Sequence, residues 1–429
     1  ARLEKIEPME VVQKYTVDFH DVLKNYNFLP PSIEPTATGH IVEQIEMITE
    51  IIEKGFAYES DGHVFFDVSK YDDYGKLSGN NLESLRGGDR VGEGEVARKR
   101  NSADFVLWKP ELDGVGWDAP FGPNGTNMKG RPGWHIECSA MAKAVLTDGT
   151  ESDTIDIHCG GVDLKFPHHE NEIAQSNCAH DGAPLANYWV HNEFLNMGNE
   201  KMSKSLGNVK LIHDLLKDWD GEVIRLALLK AHYRSELVWT EDLLKESKAQ
   251  LDGWYRVLSF AKNIITNSKY SKFKLYEPWL LDDLKLADWW VSISQIVMQL
   301  SVAKANLENE KVSFSVQGDD GGWHKIKDFK IKITEKQLLD YSVRLVLVSN
   351  LLGLLQEDPE AWFKGGLDYD ALVEEYDSVR AQALAAKEAG DKAKMGEMFK
   401  RSDEIRDQFK AEGVVIESGA EGKSSWRKA

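Results

Sequence analysis

This sequence of 429 residues contains little cysteine, and it lacks long apolar segments and an excess of positive charge. Its three cysteines, Cys138, Cys159 and Cys178, are too few for a disulfide framework. The apolar runs at residues 223–229 and 345–355 are interrupted far short of the roughly 20 residues that span a membrane, and no charged-then-apolar leader is recognisable at the start. We therefore expect a globular protein of the reducing cytoplasm with no membrane partner.

The balance of charge is acidic, with a formal net charge of -19. Binding to nucleic acid needs Lys and Arg to neutralise phosphates, so this charge argues against nonspecific coating of nucleic acid. A nucleic-acid partner would have to use local basic segments. Two are present, at residues 201–210 and in the tail with Lys423, Arg427 and Lys428. Each could equally be a solvated surface.

The order of patterns along the chain predicts an α/β protein with a helical second half. An amphipathic helix over residues 9–23 has no obvious cap before it, and a second helix covers residues 41–52. Short strand signals among turn residues then extend to Gly130, which indicates an irregular insertion. From Gly130 the alternation of helix, strand, Gly-rich turn, helix and strand is typical of a parallel sheet. From Asp214 the apolar period is helical almost throughout, and a small charged module follows at residues 369–410.

Two of the predicted helices carry side chains that suit a metal. Trp134 and Cys138 lie four positions apart, so the indole and the thiol point the same way. His168 and Glu172 have the same spacing after Pro167 at the start of the other helix. A thiolate, an imidazole and a carboxylate suit tetrahedral zinc and leave one position open. The spacing of this set along the chain is loose, so a buried cysteine and a satisfied surface histidine remain the alternative.

Two other interpretations of this region are weaker. A metallopeptidase helix requires His-Glu-x-x-His, but Ile173 stands where the second histidine is needed after His169 and Glu170. Cys159 could be a further ligand, although at the end of a buried strand a small filler of the core is the simpler role.

The Gly-rich turn between the two helices indicates a nucleotide site. A predicted strand at residues 154–158 runs into Gly160 and Gly161, which permit close approach of the backbone. Asp163 can accept hydrogen bonds from ribose hydroxyls. Paired glycines are common in turns, so this signal is weak alone.

A polar loop at residues 200–208 is the more specific sign of phosphate binding. Lys201 and Lys204 can neutralise the charge that builds on a leaving pyrophosphate as the loop closes over ATP. The alternative for this loop is an exposed basic turn.

Three segments, taken in order, resemble cysteinyl-tRNA synthetase, a class I aminoacyl-tRNA synthetase. They read Gly-Arg-Pro-Gly-Trp-His-Ile-Glu-Cys at residues 130–138, Phe-Pro-His-His-Glu-Asn-Glu at 166–172 and Lys-Met-Ser-Lys-Ser at 201–205. The last belongs to class I synthetases generally, whereas the first two point to the cysteine enzyme and its relatives. The resemblance extends over essentially the whole chain. It implies activation of L-cysteine by Mg-ATP to cysteinyl-adenylate and transfer to tRNA(Cys).

The resemblance also implies roles for single residues. One zinc ion would be bound by Cys138, His168 and Glu172, the amino-acid pocket would be lined by Trp134 and His135, and ATP would be contacted by Lys204. The substrate thiolate would take the open zinc position, and a soft thiolate binds zinc far better than the hydroxyl of serine. Such discrimination needs no editing domain.

The domain organisation that the resemblance implies has six parts. The first three are a remnant of the first Rossmann half (residues 1–29), a connective insertion (30–129) and the second Rossmann half with the zinc site (130–200). The other three are the loop and stem-contact region (201–245), a helical bundle (246–365) and an anticodon-binding module (366–429). In the last part Trp426 can stack on a base and Arg427 can contact phosphate. A packing lid is the alternative for Trp426.

Two features depart from the family pattern. No His-Ile-Gly-His motif and no further cysteine occurs ahead of the first helix, so we expect the fourth zinc ligand and half of the ATP site to be missing and the chain to be an inactive fragment. The family's Asp-rich stretch ahead of the bundle is altered at residues 280–286. The alternatives are a non-catalytic zinc- and tRNA-binding remnant and the cysteine ligase of mycothiol biosynthesis. The latter family lacks the anticodon module, so the residues from Asp368 onward argue against it.

Overall fold

The computed structural model describes most of the chain, and the described part falls into two compact units. The described residues are 5–80, 98–111, 116–122, 125–147, 154–197, 200–201, 211–266, 282–284, 286–307, 313–317, 323–327, 333–364, 369–418 and 423–428. A sheet unit comprises Leu29–Met202 and Tyr233–Val238, and a helical unit comprises Ala1–Phe28, Ser203–His232 and Trp239–Ala429. The first helix, α1 (Pro8–Asn25), belongs to the helical unit.

The first half of the sheet unit is an antiparallel sheet covered by a helix. Its elements are α2 (Ile41–Glu53), β1 (Ala57–Ser60), β2 (His63–Phe66), β3 (Phe105–Pro110), β4 (Trp117–Ala119) and β5 (Met128–Pro132). The strands pair in the order β1-β2-β3-β5-β4. The predicted apolar stripe of α2 is buried through Met47, Ile48 and Ile51, which share one core with Phe66 and Trp108 of the sheet. The described strands of the segment that the sequence indicated as an irregular insertion therefore form one antiparallel sheet.

The second half of the sheet unit is the predicted alternation of helices and parallel strands. It consists of α3 (Trp134–Leu146), β6 (Ile155–Gly161), α4 (Glu170–Ala179) and β7 (Ala186–Asn192). Strand β6 pairs with β7 in parallel, from Ile155 opposite Ala186 to Gly161 opposite Asn192. A further small sheet follows with β8 (Leu195–Met197), β9 (Glu200–Lys201) and β10 (Leu237–Trp239). Strand β6 extends three residues beyond its predicted end, because the backbone of both glycines continues the pairing with β7.

The helical unit contains the long helices that the apolar period predicts. The long helices are α7 (Glu241–Thr266), α8 (Leu286–Leu307) and α9 (Glu335–Leu351). Two short helices, α5 (Ile212–Leu215) and α6 (Gly221–Leu228), precede them, and a short α10 (Pro359–Lys364) follows. Between α8 and α9 lies a hairpin of β11 (Ser313–Gln317) and β12 (Trp323–Lys327). Asp220 caps α6 by accepting from the backbone N–H of Glu222, and Thr334 caps α9 by accepting from Gln337. Leu251, Trp254 and Leu345 are fully buried, as the helical periodicity requires.

The chain ends in a C-terminal module, residues 369–428. Helices α11 (Asp370–Glu388) and α12 (Lys392–Ala411) pack together and against the hairpin of β13 (Val414–Ser418) and β14 (Ser424–Lys428). A separate core joins them, with Tyr376, Ile405, Phe409 and Trp426 among its members. The module at residues 369–410 was predicted to be helical, and the structure adds the hairpin.

The start of α1 differs from the prediction that no cap precedes it. Pro8 opens the helix, and the backbone N–H of Glu7 donates to the side chain of Glu10 three residues on. Glutamate at both positions is not the usual signature of a cap, which is why the pattern was missed. Across the described ranges, none of the helices combines the length and the apolar character needed to cross a membrane.

Candidate metal and nucleotide site

The predicted metal ligands come together where α3 and α4 begin. Cys138 lies one turn into α3, His168 is the fourth residue of the turn at Lys165–His169 and Glu172 lies in the first turn of α4. One ligand atom from each lies within 4.8 Å of the others. His168 and Glu172 are buried and Cys138 is half-buried. The alternative of a satisfied surface histidine is therefore wrong for His168.

Glu172 is a buried carboxylate with imidazoles as its close neighbours. It is 1% exposed, and its two oxygens lie 2.6 Å from Nε2 of His168 and 3.0 Å from Nε2 of His158. Burial raises the pKa of Glu172, but the approach of His158 and His168 outweighs burial and brings it to about 2. The side chain is therefore an anion inside the protein.

Cys138 is a thiol in an acidic surrounding. Burial, with the negative charges of Glu172 and Glu137, raises its pKa to about 12. The sulfur therefore keeps its proton, and it could ligate a metal only by releasing that proton when the metal binds.

Further histidines surround the predicted ligands: His135, which the resemblance assigned to the amino-acid pocket, and His169 and His191, to which no ligand role was assigned. Nδ1 of His135 lies 2.8 Å from Nδ1 of His168, and Nδ1 of His169 lies 2.8 Å from Nε2 of His191. Burial lowers the pKa of His135 and of His169 to about 4, so both rings are neutral and can accept as well as donate. One nitrogen in each pair must donate and the other accept, and this fixes ring orientations.

A second trio of potential ligands shares Glu172 with the first. Its other members are His158 and His169, again with ligand atoms within 4.8 Å of one another. His191 lies near the carboxyl end of β7, and His158 lies in the middle of the neighbouring parallel strand β6. In α/β sheets ligands bind outside the carboxyl ends of the strands, and that rule could have found His191.

Cys159 has neither of the roles considered for it in the sequence. It is exposed on β6, so it is not a filler of the core, and among the described residues it belongs to neither ligand trio. The prediction failed because strand β6 has several exposed residues, whereas parallel strands are usually buried on both faces.

Trp134 stands open beside the ligand trio. Its side chain is 57% exposed, and its ring centre lies 4.3 Å from that of His168. His135 lies beneath it, half-buried, with its ring centre 5.2 Å away. An exposed indole next to buried polar groups is compatible with the wall of a small-molecule pocket, and the pocket role of Trp134 and His135 stays a prediction.

Close packing by itself explains why glycine stands at both positions of the predicted nucleotide turn. A Cβ on Gly160 would lie 2.7 Å from the His169 ring, and one on Gly161 would lie 2.4 Å from a carboxylate oxygen of Asp163. Asp163 is exposed after the end of β6. The nucleotide role of these three residues stays a prediction.

The remaining predicted residues lie elsewhere. The backbone of Lys201 belongs to β9, whereas Lys204 falls outside the described residues. Trp426 is only 5% exposed and packs edge-on against Tyr369, and Arg427 pairs with Glu417 at 2.7 Å. The packing lid considered for Trp426 is therefore present, and a contact of either residue with tRNA stays a prediction.

Comparison with known proteins places this geometry in a class. The family described as tRNA synthetases class I (C) catalytic domain matches residues 1–249. A solved structure of Mycobacterium tuberculosis methionyl-tRNA synthetase in complex with methionyl-adenylate is similar in fold, with a TM-score of 0.54 at 15% identity over 84% of this chain and 82% of that one. The fold and the matched family define a class I aminoacyl-tRNA synthetase.

Curated relatives narrow the class to one branch. A cysteine--tRNA ligase of Maricaulis maris is 44% identical over 93% of this chain and 76% of its own length. One of Caulobacter sp. is 41% identical over 100% of this chain and 82% of its own length. The chain belongs to the cysteine--tRNA ligase family.

Proposed function

We propose that this protein activates L-cysteine with Mg-ATP to cysteinyl-adenylate, releasing pyrophosphate, and transfers the cysteinyl group to tRNA(Cys). The observation that carries the proposal is the trio Cys138, His168 and Glu172 beside the exposed Trp134, in a chain of this family. Translation takes place in the cytoplasm, so the cytoplasm is the proposed compartment.

The trio fits one zinc ion. Besides the imidazole nitrogens of His158 and His168, no backbone N–H among the described residues donates to either oxygen of the buried Glu172, so the carboxylate is available to a cation that these side chains can share. Thiolate, imidazole and carboxylate are donors that zinc prefers. When bound, zinc would offer an open position to a soft thiolate, which separates cysteine from serine.

The neighbouring side chains orient these ligands and exclude water. His135 holds the ring of His168 through its Nδ1, so that Nε2 stays turned to Glu172. His158 approaches the other oxygen of Glu172 and restricts the rotation of the carboxylate. Trp134 covers one side of His168 with an apolar ring and can contact the methylene of a cysteine substrate.

The ATP and tRNA contacts of the proposal rest on the family motifs. Gly160, Gly161 and Asp163 lie at the end of β6, where nucleotides bind in parallel sheets. Lys201 and Lys204 carry the charge that would stabilise the departing pyrophosphate. For tRNA we propose the C-terminal module, with Trp426 and Arg427 in β14 as the residues to test.

A second candidate function is a zinc- and tRNA-binding protein without catalytic turnover. It is favoured by exposed apolar side chains on the β6–β7 pair, where Ile157 is 58% and Tyr188 is 70% exposed. Parallel sheets are normally covered on both faces, and the relatives are longer than this chain by about a fifth. We propose that the catalytic site is complete only when further residues cover this surface.

Cysteine-dependent exchange of pyrophosphate into ATP tests both candidates. The zinc-loaded chain is measured alone and together with the additional part of a relative, supplied in one polypeptide. The ligase predicts exchange with cysteine and not with serine in the longer protein, whereas the second candidate predicts no exchange in the chain alone. Exchange absent from the zinc-loaded longer protein would overturn the ligase, and exchange by the chain alone would overturn the second candidate. Metal analysis in parallel should give one zinc per chain.

A further inference from the structure

The C-terminal module has a core of its own, so its attachment to the preceding helices depends on contacts outside that core. The members of the core, including Val373, Tyr376 and Phe409, all lie between residues 369 and 426. Helix α10 nevertheless lies next to strand β14. The contacts between α10 and the module therefore decide how the module is held.

Lys364, the last residue of α10, reaches the first residue of α11. Its Nζ lies 2.9 Å from each carboxylate oxygen of Asp370 and 2.7 Å from Glu360 of its own helix. Its side chain is 23% exposed, less than that of most lysines with surface partners. Two carboxylates from two elements thus converge on one ammonium group.

Asp370 in turn fixes the tryptophan of the last strand. The Nε1–H of Trp426 donates to Oδ1 of Asp370 at 2.6 Å, and the indole packs edge-on against Tyr369. The Nζ of Lys364 also lies 5.4 Å from the centre of the indole ring. The buried indole N–H needs an acceptor, so Asp370 serves both the core of the module and the end of α10.

We propose that Lys364, Asp370 and Trp426 form a latch that sets the orientation of the C-terminal module for tRNA. The inference rests on the proposed function, because it takes tRNA as the partner. Lys364 and Asp370 are positioning residues: they act through their contacts with each other and with Trp426 and need not touch RNA themselves. A tRNA that binds both the module and the rest of the chain gains affinity from the second contact only when the two are held at a matching geometry. Loosening the latch lowers that gain without altering either contact surface.

Binding of two RNAs to the complete 429-residue chain separates this role from simple stability. One probe is full-length tRNA(Cys), and the other is a hairpin with only its anticodon stem and loop. Lys364→Met should weaken binding of the full tRNA about three- to fivefold, as expected for loss of one partly exposed ion pair, and leave binding of the hairpin unchanged. Asp370→Asn should do the same, since the amide oxygen still accepts from Trp426. Lys364→Arg should restore wild-type binding.

The matched control is Lys54→Met. Lys54 has a similar exposure of 31% and also pairs with one aspartate, Asp181, but lies in the sheet unit. It should leave both RNA affinities unchanged. The double variant of Lys364 and Asp370 should be no weaker than either single variant. Equal loss of full tRNA and hairpin binding, full additivity in the double variant or wild-type binding by Lys364→Met would each overturn the latch.

Hydrogen exchange distinguishes failure of the latch from failure of the proposed partner. Lys364→Met should speed amide exchange in α10 and β14 and not in α3 or α4. If the wild-type chain bound tRNA(Cys) no better than a tRNA for another amino acid, the partner would be wrong, and faster exchange in the variant would still support the latch. Unchanged exchange would overturn it.

Discussion

Two buried glutamates, Glu172 in the sheet unit and Glu222 in the helical unit, are each 1% exposed and have pKa values shifted in opposite directions. The nearest partners of Glu172 are imidazole nitrogens, and its pKa is lowered to about 2. For Glu222, burial outweighs its hydrogen bonds and raises the pKa to about 7. The two side chains are equally buried, so the kind of neighbouring group decides the direction in which the pKa shifts.

The donors around Glu222 explain its different role. It accepts from the backbone N–H of Leu355 at 2.9 Å and of Gln356 at 2.8 Å, and from the hydroxyl of Tyr255 at 3.0 Å. These groups belong to the backbone and to one side chain of the bundle, so Glu222 joins α6, α7 and the segment after α9. Glu172 lacks such donors and faces groups that a metal can share. A buried carboxylate whose oxygens accept hydrogen bonds from the fold stabilises that fold, whereas one without such backbone and hydroxyl donors indicates a site for a bound cation.

The sharpest test of the comparison is neutralisation of Glu172. Glu172→Gln removes the charge and one ligand, and we expect zinc affinity to fall by at least about 100-fold, since even orienting partners of a metal ligand are worth 10- to 100-fold. Zinc competition with a chromophoric chelator measures the change. Glu222→Gln is the matched control and should bind zinc as the wild type does. Equal zinc affinity in the two variants would remove the distinction between the carboxylates.

Truncation of Glu222 should lower the free energy of unfolding more than truncation of Glu172 does. Glu222→Ala leaves two buried backbone N–H groups and the Tyr255 hydroxyl without their acceptor, and we expect the free energy of unfolding of the helical unit to fall by about 4 kcal/mol. Calorimetry on the metal-free protein measures this, with Glu172→Ala for comparison. A smaller loss for Glu222→Ala than for Glu172→Ala would contradict the assignment of roles.

The pH dependence of stability should distinguish Glu222 from its amide. The folded pKa of about 7 lies above the unfolded value of 4.5, so the folded state holds the proton more tightly. The resulting stabilisation is complete below pH 4.5, is lost as the pH rises to about 7 and is absent above that. Relative to Glu222→Gln, the wild type should lose about 3 kcal/mol between pH 4.5 and pH 8. Parallel stability curves for the two proteins would show that Glu222 does not titrate there.

Loss of an orienting histidine should have the smallest effect. His135→Ala removes the partner of Nδ1 of His168 and should weaken zinc binding about tenfold while all three ligands remain. His63→Ala, at an exposed hairpin in the same unit, is the control. If His135→Ala bound zinc with unchanged affinity, His135 would have no role in orienting His168 and would contribute only to packing.

Spacing along single helices was predictable because it depends on local geometry. Trp134 and Cys138, and His168 and Glu172, are each one helical turn apart, and the structure places each pair on one face. The parallel pairing of β6 with β7 followed from the alternation of elements. The partners of Glu222 were not predictable, because Leu355 and Gln356 lie more than a hundred positions away and contribute backbone groups, which leave no sign in the sequence.

The sequence by itself indicated the family through its three motifs and, through that resemblance, the candidate ligands Cys138, His168 and Glu172. The order of sheet and helical parts followed from residue type and short-range period. Only the tertiary structure decided which groups became neighbours. It placed His158 and His135 around the trio, buried Trp426 against Asp370 and shifted the pKa values of two equally buried glutamates in opposite directions. Long-range packing brings distant donors and acceptors together, and in a low-dielectric interior those neighbours control charge.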